Sequence, residues 1–389
     1  MRIAIINTLY APNQVGGAEK SVQTLAENLC LKGNKVLVIC LGKESTSYHL
    51  NGVLVKVLKI ENSYWPFELG VKKAYQKFLW HLKDVSNTKY ENTIGEFLSD
   101  FKPNILLTNN LVGFSTKVWS IAQKLNIKIV HTLRDYYLQC PSTIKFKDNL
   151  NCLKPCLSCA LLSVPKKNDS NNVNYLIGIS NFILNDHISN GYFKKIPNKV
   201  IYNGFEITGH TKNKPKNTIV FGYIGQINKS KGIELLLESF SKIKKHPWKL
   251  LVAGNIDVAY KNDLRRINNS NQIEFLGHTN SNLFFKKIDV LVVPSLWNEP
   301  FGRVVLESII HKKPVLGSNK GGISELLSNN KKYLFNPTKN ELVNLLKKSI
   351  LESRFLDDFI FDEIFIENFS ITNTVNQYLN VFNEVLNKN

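Results

Sequence analysis

This sequence predicts an α/β fold made of two doubly wound, Rossmann-like domains, and three observations predict it. The chain has 389 residues, more than a single hydrophobic core usually supports. Short apolar runs alternate with amphipathic helical periods, the pattern of parallel strands and their crossover helices. The alternation breaks at a polar, lysine-rich stretch, residues 211–217, and then starts again.

In the first half, residues 3–9 read as a strand and a turn-rich loop runs on to Gly17. Val22, Leu25, Ala26 and Leu29 then share one face of a helix over 21–31, which Gly33 ends, and 35–41 is the next strand. Strand-like runs recur at 105–108 and 127–132, with a helical period between them. The second half repeats the plan: strand 219–224, helix 232–243, strand 249–253, and an apolar strand at 288–293 closed by Pro294 and Ser295. The expected domains are 1–205, with a cysteine-rich insertion at 140–170, and 218–370. A last apolar-periodic segment around 375–386 gives a terminal helix within 371–389.

Composition narrows the class. With 43% hydrophobic and 21% charged residues the chain reads as an ordinary soluble globular protein. No apolar run approaches the roughly 18 residues of a membrane span. The opening Met1-Arg2-Ile3 reads as a strand and not as a signal peptide, which places the protein in the cytoplasm. A nicotinamide enzyme is the obvious rival for such domains. However, no G-x-G-x-x-G follows any strand, and no Walker A motif is present.

The chemistry concentrates in Glu299-Pro300-Phe301-Gly302-Arg303-Val304-Val305-Leu306-Glu307, after the 288–293 strand. Pro300 disfavours helix at Glu299, so the helix starts at Gly302 or Arg303 and its first amides face the loop. A helix N-terminus at the carboxyl edge of a parallel sheet is an anion site, and a diphosphate is the natural guest. Glu307, one turn in, suits paired ribose hydroxyls. Eight residues of helical rise would separate the two glutamates by about 12 Å, beyond the roughly 5–9.5 Å of hydrolytic carboxylate pairs.

The Glu-x7-Glu spacing, with Pro-Phe-Gly after the first glutamate, resembles the signature of the retaining family 4 glycosyltransferases of GT-B fold. The resemblance extends to Gly16-Gly17-Ala18-Glu19, Tyr202-Asn203-Gly204, the run from Gly225 to Lys231-Gly232, and Gly321-Gly322 with Glu325. It implies two domains facing a cleft, 1–205 on the acceptor side and 218–370 binding the nucleotide sugar, with the terminal helix returning to the first. It also implies metal-independent transfer of a sugar, with retention, from a UDP- or GDP-linked donor to an acceptor hydroxyl, completed by domain closure. No catalytic cofactor is expected; the nucleoside diphosphate sugar is a co-substrate. Bacterial surface polysaccharide or glycolipid synthesis is the expected setting. A nucleotide-sugar epimerase and an inactive nucleotide-sugar-binding protein are the alternatives.

In that picture Lys231 neutralises the leaving diphosphate and Glu299 contacts the donor sugar. Gly16 and Gly17 let backbone approach the phosphates, and Phe301, Gly302, Arg303 and Glu307 complete the donor site. The family's arginine after the glycine at 225 is Gln226 here, so phosphate contacts are either weaker or supplied differently, with Arg303 and Lys320 the candidates to compensate. His131 ends a strand where the family often has a histidine and an aspartate. The histidine before Asp135 is replaced by Arg134, which leaves His131 either catalytic or structural.

Four cysteines, Cys140, Cys152, Cys156 and Cys159, spaced C-x11-C-x3-C-x2-C, suit a structural zinc or are plain buried thiols; Cys30 and Cys40 read as core. Net charge is +19, and residues 1–205 hold 25 basic against 13 acidic groups, an excess of 12 on the first domain. Between Tyr64 and Lys89, Val71, Tyr75, Phe78, Leu79 and Leu82 share a helical face, with Lys72, Lys73, Lys77 and Lys83 elsewhere. That segment either docks on an anionic membrane, placing the protein at the inner face of the plasma membrane with a lipid-linked acceptor, or packs in the core. The lysines are dispersed and form no recognition motif, so nucleic acid is not expected.

Overall fold

The computed structural model describes residues 1–13, 16–67, 72–207, 218–243, 246–352 and 354–388. These fall into two compact units. The first comprises Met1–Lys145, Leu153–Phe205 and Asn368–Asn389; the second comprises Phe146–Cys152 and Glu206–Glu367. Most of the expected linker, 208–217, lies outside the described residues, as does Val71.

The first unit holds an eight-stranded sheet of β1 (Arg2–Ile6), β2 (Lys35–Gly42), β3 (Thr46–Leu50), β4 (Val53–Lys59), β5 (Ile105–Thr108), β6 (Lys128–Leu133), β9 (Tyr175–Gly178) and β10 (Asn198–Val200). Its order is β10-β9-β6-β5-β1-β2-β4-β3, parallel except where β3 pairs antiparallel with β4. β1 and β5 are fully buried apart from Arg2, as strands covered on both faces should be. The helix Gly17–Leu31 packs Val22, Leu25, Ala26 and Leu29 on this sheet beside Val375, Tyr378, Val381 and Phe382 of the terminal helix Ile371–Asn387. Ser370 caps that helix, and Phe205 bridges to Ser370.

The second unit carries β7 (Phe146–Lys147) and β8 (Leu150–Asn151) as a small hairpin. Its sheet consists of β11 (Ile219–Ile224), β12 (Trp248–Ala253), β13 (Ile273–Gly277), β14 (Val290–Val293), β15 (Val315–Ser318) and β16 (Leu334–Phe335). They run β13-β12-β11-β14-β15-β16, parallel throughout. Residues 146–152, expected inside the insertion of the first domain, therefore cluster with the second. The cause is Asn151, whose amide donates to the Leu296 carbonyl and whose side-chain oxygen accepts from the Asn298 amide, both at 2.8 Å.

The face carrying Tyr75, Phe78, Leu79 and Leu82 does not enter the core. On the helix Ala74–Val85 the buried residues are Trp80, Asp84 and Val85, whereas Tyr75 and Leu79 are 60% and 52% exposed. Asp84 fixes this orientation by accepting from the Tyr137 hydroxyl at 2.7 Å and the Gly113 amide at 2.6 Å. Buried Lys166, on the neighbouring helix Leu157–Asp169, donates to the Tyr137 carbonyl at 3.1 Å. The core-packing reading of the 75–82 face is overturned by this polar clasp beneath it.

Candidate active site

Three strand ends of the second unit meet along one edge. β11 and β14 are the neighbours at which the strand order reverses, and β15 lies next to β14. Doubly wound sheets bind ligands outside the carboxyl ends of strands at such a switch point.

Lys231 closes a short turn, Lys229–Lys231, capped by Asn228, whose side chain accepts from the Lys231 amide. Gly232 follows at φ +74°, and a Cβ there would stand 1.8 Å from the Pro294 carbonyl oxygen. Only glycine lets the turn seat against the end of β14. The Lys231 ammonium consequently stands 2.9 Å from Glu299 Oε1 and 5.0 Å from the Trp297 ring centroid. Charge, and not an aligned hydrogen bond, joins it to Glu299, because Glu299 Oε1 is buried with no hydrogen bond of acceptable geometry among the described residues.

The loop carrying Glu299 rests on Gly321-Gly322. Gly321 sits at φ +56°, and a Cβ on it would come within 2.3 Å of the Glu299 carbonyl oxygen; that carbonyl accepts from the Gly322 amide at 2.8 Å. The helix that follows is Arg303–Ile310, with Gly302 at its N-cap and no side chain capping its amides. One turn in, Glu307 Oε1 accepts from Arg303 Nε at 2.8 Å. Both side chains keep some exposure, 16% and 25%, so an incoming ligand can compete for them. Gln226 is exposed and its carbonyl accepts from the Tyr223 hydroxyl at 2.7 Å.

Residues 206–363 match the family model of glycosyl transferases group 1. An uncharacterized 42.6 kDa protein in the cps region of Klebsiella pneumoniae is 37% identical over 332 residues, covering 84% of this chain and 87% of that one.

The chain belongs to the group 1 glycosyl transferases.

It is a glycosyltransferase on this footing, and other relatives of similar description accompany it. The O-antigen biosynthesis glycosyltransferase WclY of Escherichia coli is 30% identical over 48% of this chain and 57% of its own. Sucrose-phosphate synthase from Thermosynechococcus elongatus superposes with a TM-score of 0.73 at 17% identity, covering 99% of this chain and 98% of that one. Anabaena HepE in complex with UDP and glucose gives 0.71 at 19%, covering 99% and 100%. The fold is GT-B.

In this glycosyltransferase the first unit gathers a second set of polar groups. The Gly16 amide donates to Glu19 Oε2 at 2.9 Å, at the start of the helix whose first residue is Gly17. Arg134, 6% exposed, gives Nε to Asn109 Oδ1 at 2.8 Å and a terminal nitrogen to Asn203 Oδ1. Asn109, just past β5, escapes sequence reasoning, whereas Asn203 lies in the Tyr202-Asn203-Gly204 stretch on which the resemblance rests. Burial raises the Asp135 carboxyl to about 6, with the Tyr137 amide, held at 2.8 Å, pulling the other way.

His131 is elsewhere. It is 3% exposed, stacks on Phe193, meets Trp119 edge-on, and its Nδ1 lies 2.9 Å from the Thr108 hydroxyl. Trp119 Nε1 donates to the same hydroxyl at 2.9 Å. Burial lowers the ring to about 3, so it stays neutral, and we do not retain His131 as a catalytic group.

Cys159 is pushed up by burial and by the neighbouring Cys156 and Cys140 thiols. Cys152 belongs to the other unit. Among the described residues no group of three or more His, Cys, Asp or Glu side chains that could hold a metal ion is found, so the structure adds no support to the zinc reading of Cys140, Cys152, Cys156 and Cys159. Cys40 is buried in β2 as expected, its thiol pushed up to about 12 by burial, whereas Cys30 on the helix Gly17–Leu31 is half-buried.

Proposed function

We propose that this glycosyltransferase moves a hexosyl group from a UDP-linked sugar to an acceptor hydroxyl with retention, in the assembly of a bacterial surface polysaccharide. The observation that carries the reading is the placement of two charge pairs, Lys231 with Glu299 and Arg303 with Glu307, on one sheet edge around an uncapped helix start. In the proposed reaction the diphosphate takes the Lys231 ammonium and the first amides of Arg303–Ile310. Glu307 turns from Arg303 to the ribose hydroxyls, which frees the guanidinium for phosphate and supplies the cation that Gln226 lacks. Glu299 faces the donor sugar.

The anomeric carbon–oxygen bond to the β-phosphate breaks as the acceptor oxygen bonds the same carbon on the same face. The acceptor's proton passes to the departing phosphate oxygen, so no protein nucleophile is needed. Stabilising that leaving group is the enzyme's main contribution. UDP as the carrier follows the ligand of the HepE structure, and the polysaccharide setting follows the cps-region and O-antigen relatives.

Thermal unfolding with UDP, GDP, ADP and CMP tests the donor site. A ligand at 100 times its dissociation constant adds about 2.7 kcal/mol. Stabilisation by UDP alone, lost in Glu307→Ala, is the expected result; no response to any nucleotide sinks the donor site. Binding without turnover points to the inactive sugar-nucleotide binder, and isomerised UDP-sugar without acceptor to the epimerase.

The acceptor is proposed to be lipid-linked and reached at an anionic membrane. The helices Ala74–Val85 and Leu157–Asp169 pack together in the first unit, and Phe78, Leu79, Leu82, Leu157, Leu161 and Val164 on them are all exposed. Exposed Lys73, Lys77, Lys83 and Lys154 border them. Apolar side chains ringed by cations suit an anionic interface. No helix among the described residues is long and apolar enough to cross a membrane. Flotation with phosphatidylglycerol vesicles should carry the protein up, and Leu79→Asp with Leu161→Asp should abolish it; equal flotation with phosphatidylcholine alone contradicts the electrostatic part.

A further inference from the structure

The helix Leu157–Asp169 opens on a pair of cysteines that sugar transfer does not use. Cys156 is its N-cap, in extended backbone at φ −70° and ψ 166°, and no side chain caps the helix amides. The Ala160 amide donates to the Cys156 carbonyl at 2.8 Å, so the first turn begins at this residue. Cys159 is the third residue of the helix, the position whose amide an N-cap side chain ordinarily reaches. The two side chains therefore share one side of one turn.

Their settings differ. Cys156 is exposed, with the Ser158 hydroxyl 3.3 Å from its sulfur, whereas Cys159 is half-buried. Cys140, the other neighbour of Cys159, is buried in the loop after β6, with the Ser142 hydroxyl 3.1 Å from its sulfur. Burial and these neighbouring thiols hold the proton on Cys159, so Cys156 is the sulfur that meets a reagent first.

We propose that Cys156 and Cys159 form an exchange-active dithiol, a site of covalent modification by low-molecular-weight disulfides. A C-x-x-C pair opening a helix suits this chemistry, because the amides at a helix start stabilise the attacking thiolate. The Cys156 thiolate attacks one sulfur of the small disulfide, whose S–S bond breaks and releases one thiolate. Cys159 then gives up its proton and attacks the Cys156 sulfur, expelling the second thiolate. Two cysteine thiols are oxidised to one disulfide, the small disulfide is reduced to two thiols, and the two cysteine protons end on them. Helical geometry puts α-carbons three residues apart at about 5 Å, inside the roughly 4.4–6.8 Å that a disulfide spans. Closure thus asks for little backbone movement. In the cytoplasm that the sequence predicts, thiols are held reduced and such bridges are transient.

The full chain, reduced and then given an excess of oxidised glutathione, tests the assignment. Mass spectrometry with peptide fragmentation should find Cys156 joined to Cys159, with two hydrogens lost and no glutathione retained. In Cys159→Ser the exchange should stop halfway and leave glutathione on Cys156. Cys156→Ser should lower modification of this turn at least tenfold, and Cys140→Ser should still close the bridge. Iodoacetamide should alkylate Cys156 in the wild type at least tenfold faster than Cys159. Thermal unfolding of each reduced variant shows that the fold is kept. The proposal is overturned if the folded wild type forms no bridge, if the bridge maps to Cys140 or Cys152, or if Cys159→Ser accumulates no glutathione adduct. It is equally overturned if the purified chain carries one zinc ion that Cys156→Ser releases, which would make these thiols metal ligands.

Discussion

The carboxyl edges of the two sheets are built from different materials. In the second unit the edge carries full charges in pairs, Lys231 against Glu299 and Arg303 against Glu307, held by glycines that let loops touch backbone to backbone. In the first unit it carries amides and rings around a single buried guanidinium: Asn109 and Asn203 accept from Arg134, and Tyr10, Tyr48, Trp65 and Phe67 line a cavity with Lys43 and Glu44. Charge pairs that a ligand can open suit a diphosphate, whose charge grows as the bond breaks. Rings and amides suit an uncharged partner that needs shape and hydroxyl contacts. Two doubly wound sheets thus differ in what stands at their strand ends, where function is grafted onto a common fold.

The largest expected effect falls on the charged edge. Lys231→Met removes the cation nearest the proposed leaving group and should lower kcat about 10²–10³-fold, equivalent to roughly 2.7–4 kcal/mol of transition-state stabilisation. It also leaves Glu299 buried beside an apolar chain, so Lys231→Met with Glu299→Gln is the control that separates lost folding from lost chemistry. If both variants fold and turn over at the wild-type rate, the pair is structural and the contrast between the edges fails.

A smaller effect sharpens the contrast from the uncharged side. His131 is buried and neutral, with its ring lowered to about 3. The unfolded chain protonates this ring near 6.5, so stability is fully present above that pH and is lost as pH falls from about 6.5 towards the folded value. Across that window the ring contributes a slope of about 1.4 kcal/mol per pH unit. His187, buried and lowered to about 4, acts in the same direction. Denaturation followed from pH 7 to 5 should therefore show a steeper loss in wild type than in His131→Gln. A catalytic histidine would in addition move the pH–rate profile, which His131→Gln should leave in place.

What the sequence made legible follows from how local each feature is. The helix start at Gly302, the turn at Lys231-Gly232 and the helix 371–387 are set by neighbours in sequence: Pro300 and Gly302 in the first, Gly232 in the second, an apolar period in the third. The apolar helix 74–85 was legible as amphipathic, but which face was inside was not. Asp84, Tyr137, Gly113 and Lys166 decide that, and they meet only through the fold. Asn151 is the clearest miss: nothing in a polar insertion signals that one asparagine will hold the Leu296–Asn298 backbone.

The smallest expected effect bears on Gln226, where this chain departs from the arginine of the family it resembles. Gln226 is exposed just beyond β11, and the Tyr223 hydroxyl anchors its backbone carbonyl, so a longer side chain can be accommodated without repacking. If Arg303 compensates once Glu307 has turned to the ribose, a second guanidinium adds little: Gln226→Arg should tighten UDP severalfold at low salt, and the gain should shrink at high salt as screening grows. In Arg303→Met the same substitution should restore most of the lost affinity, because one cation then does the work of the other. A gain of 100-fold or more in the wild-type background would mean that Arg303 stays on Glu307 when donor binds. The charged edge would then be a fixed scaffold and not a set of pairs that the ligand opens.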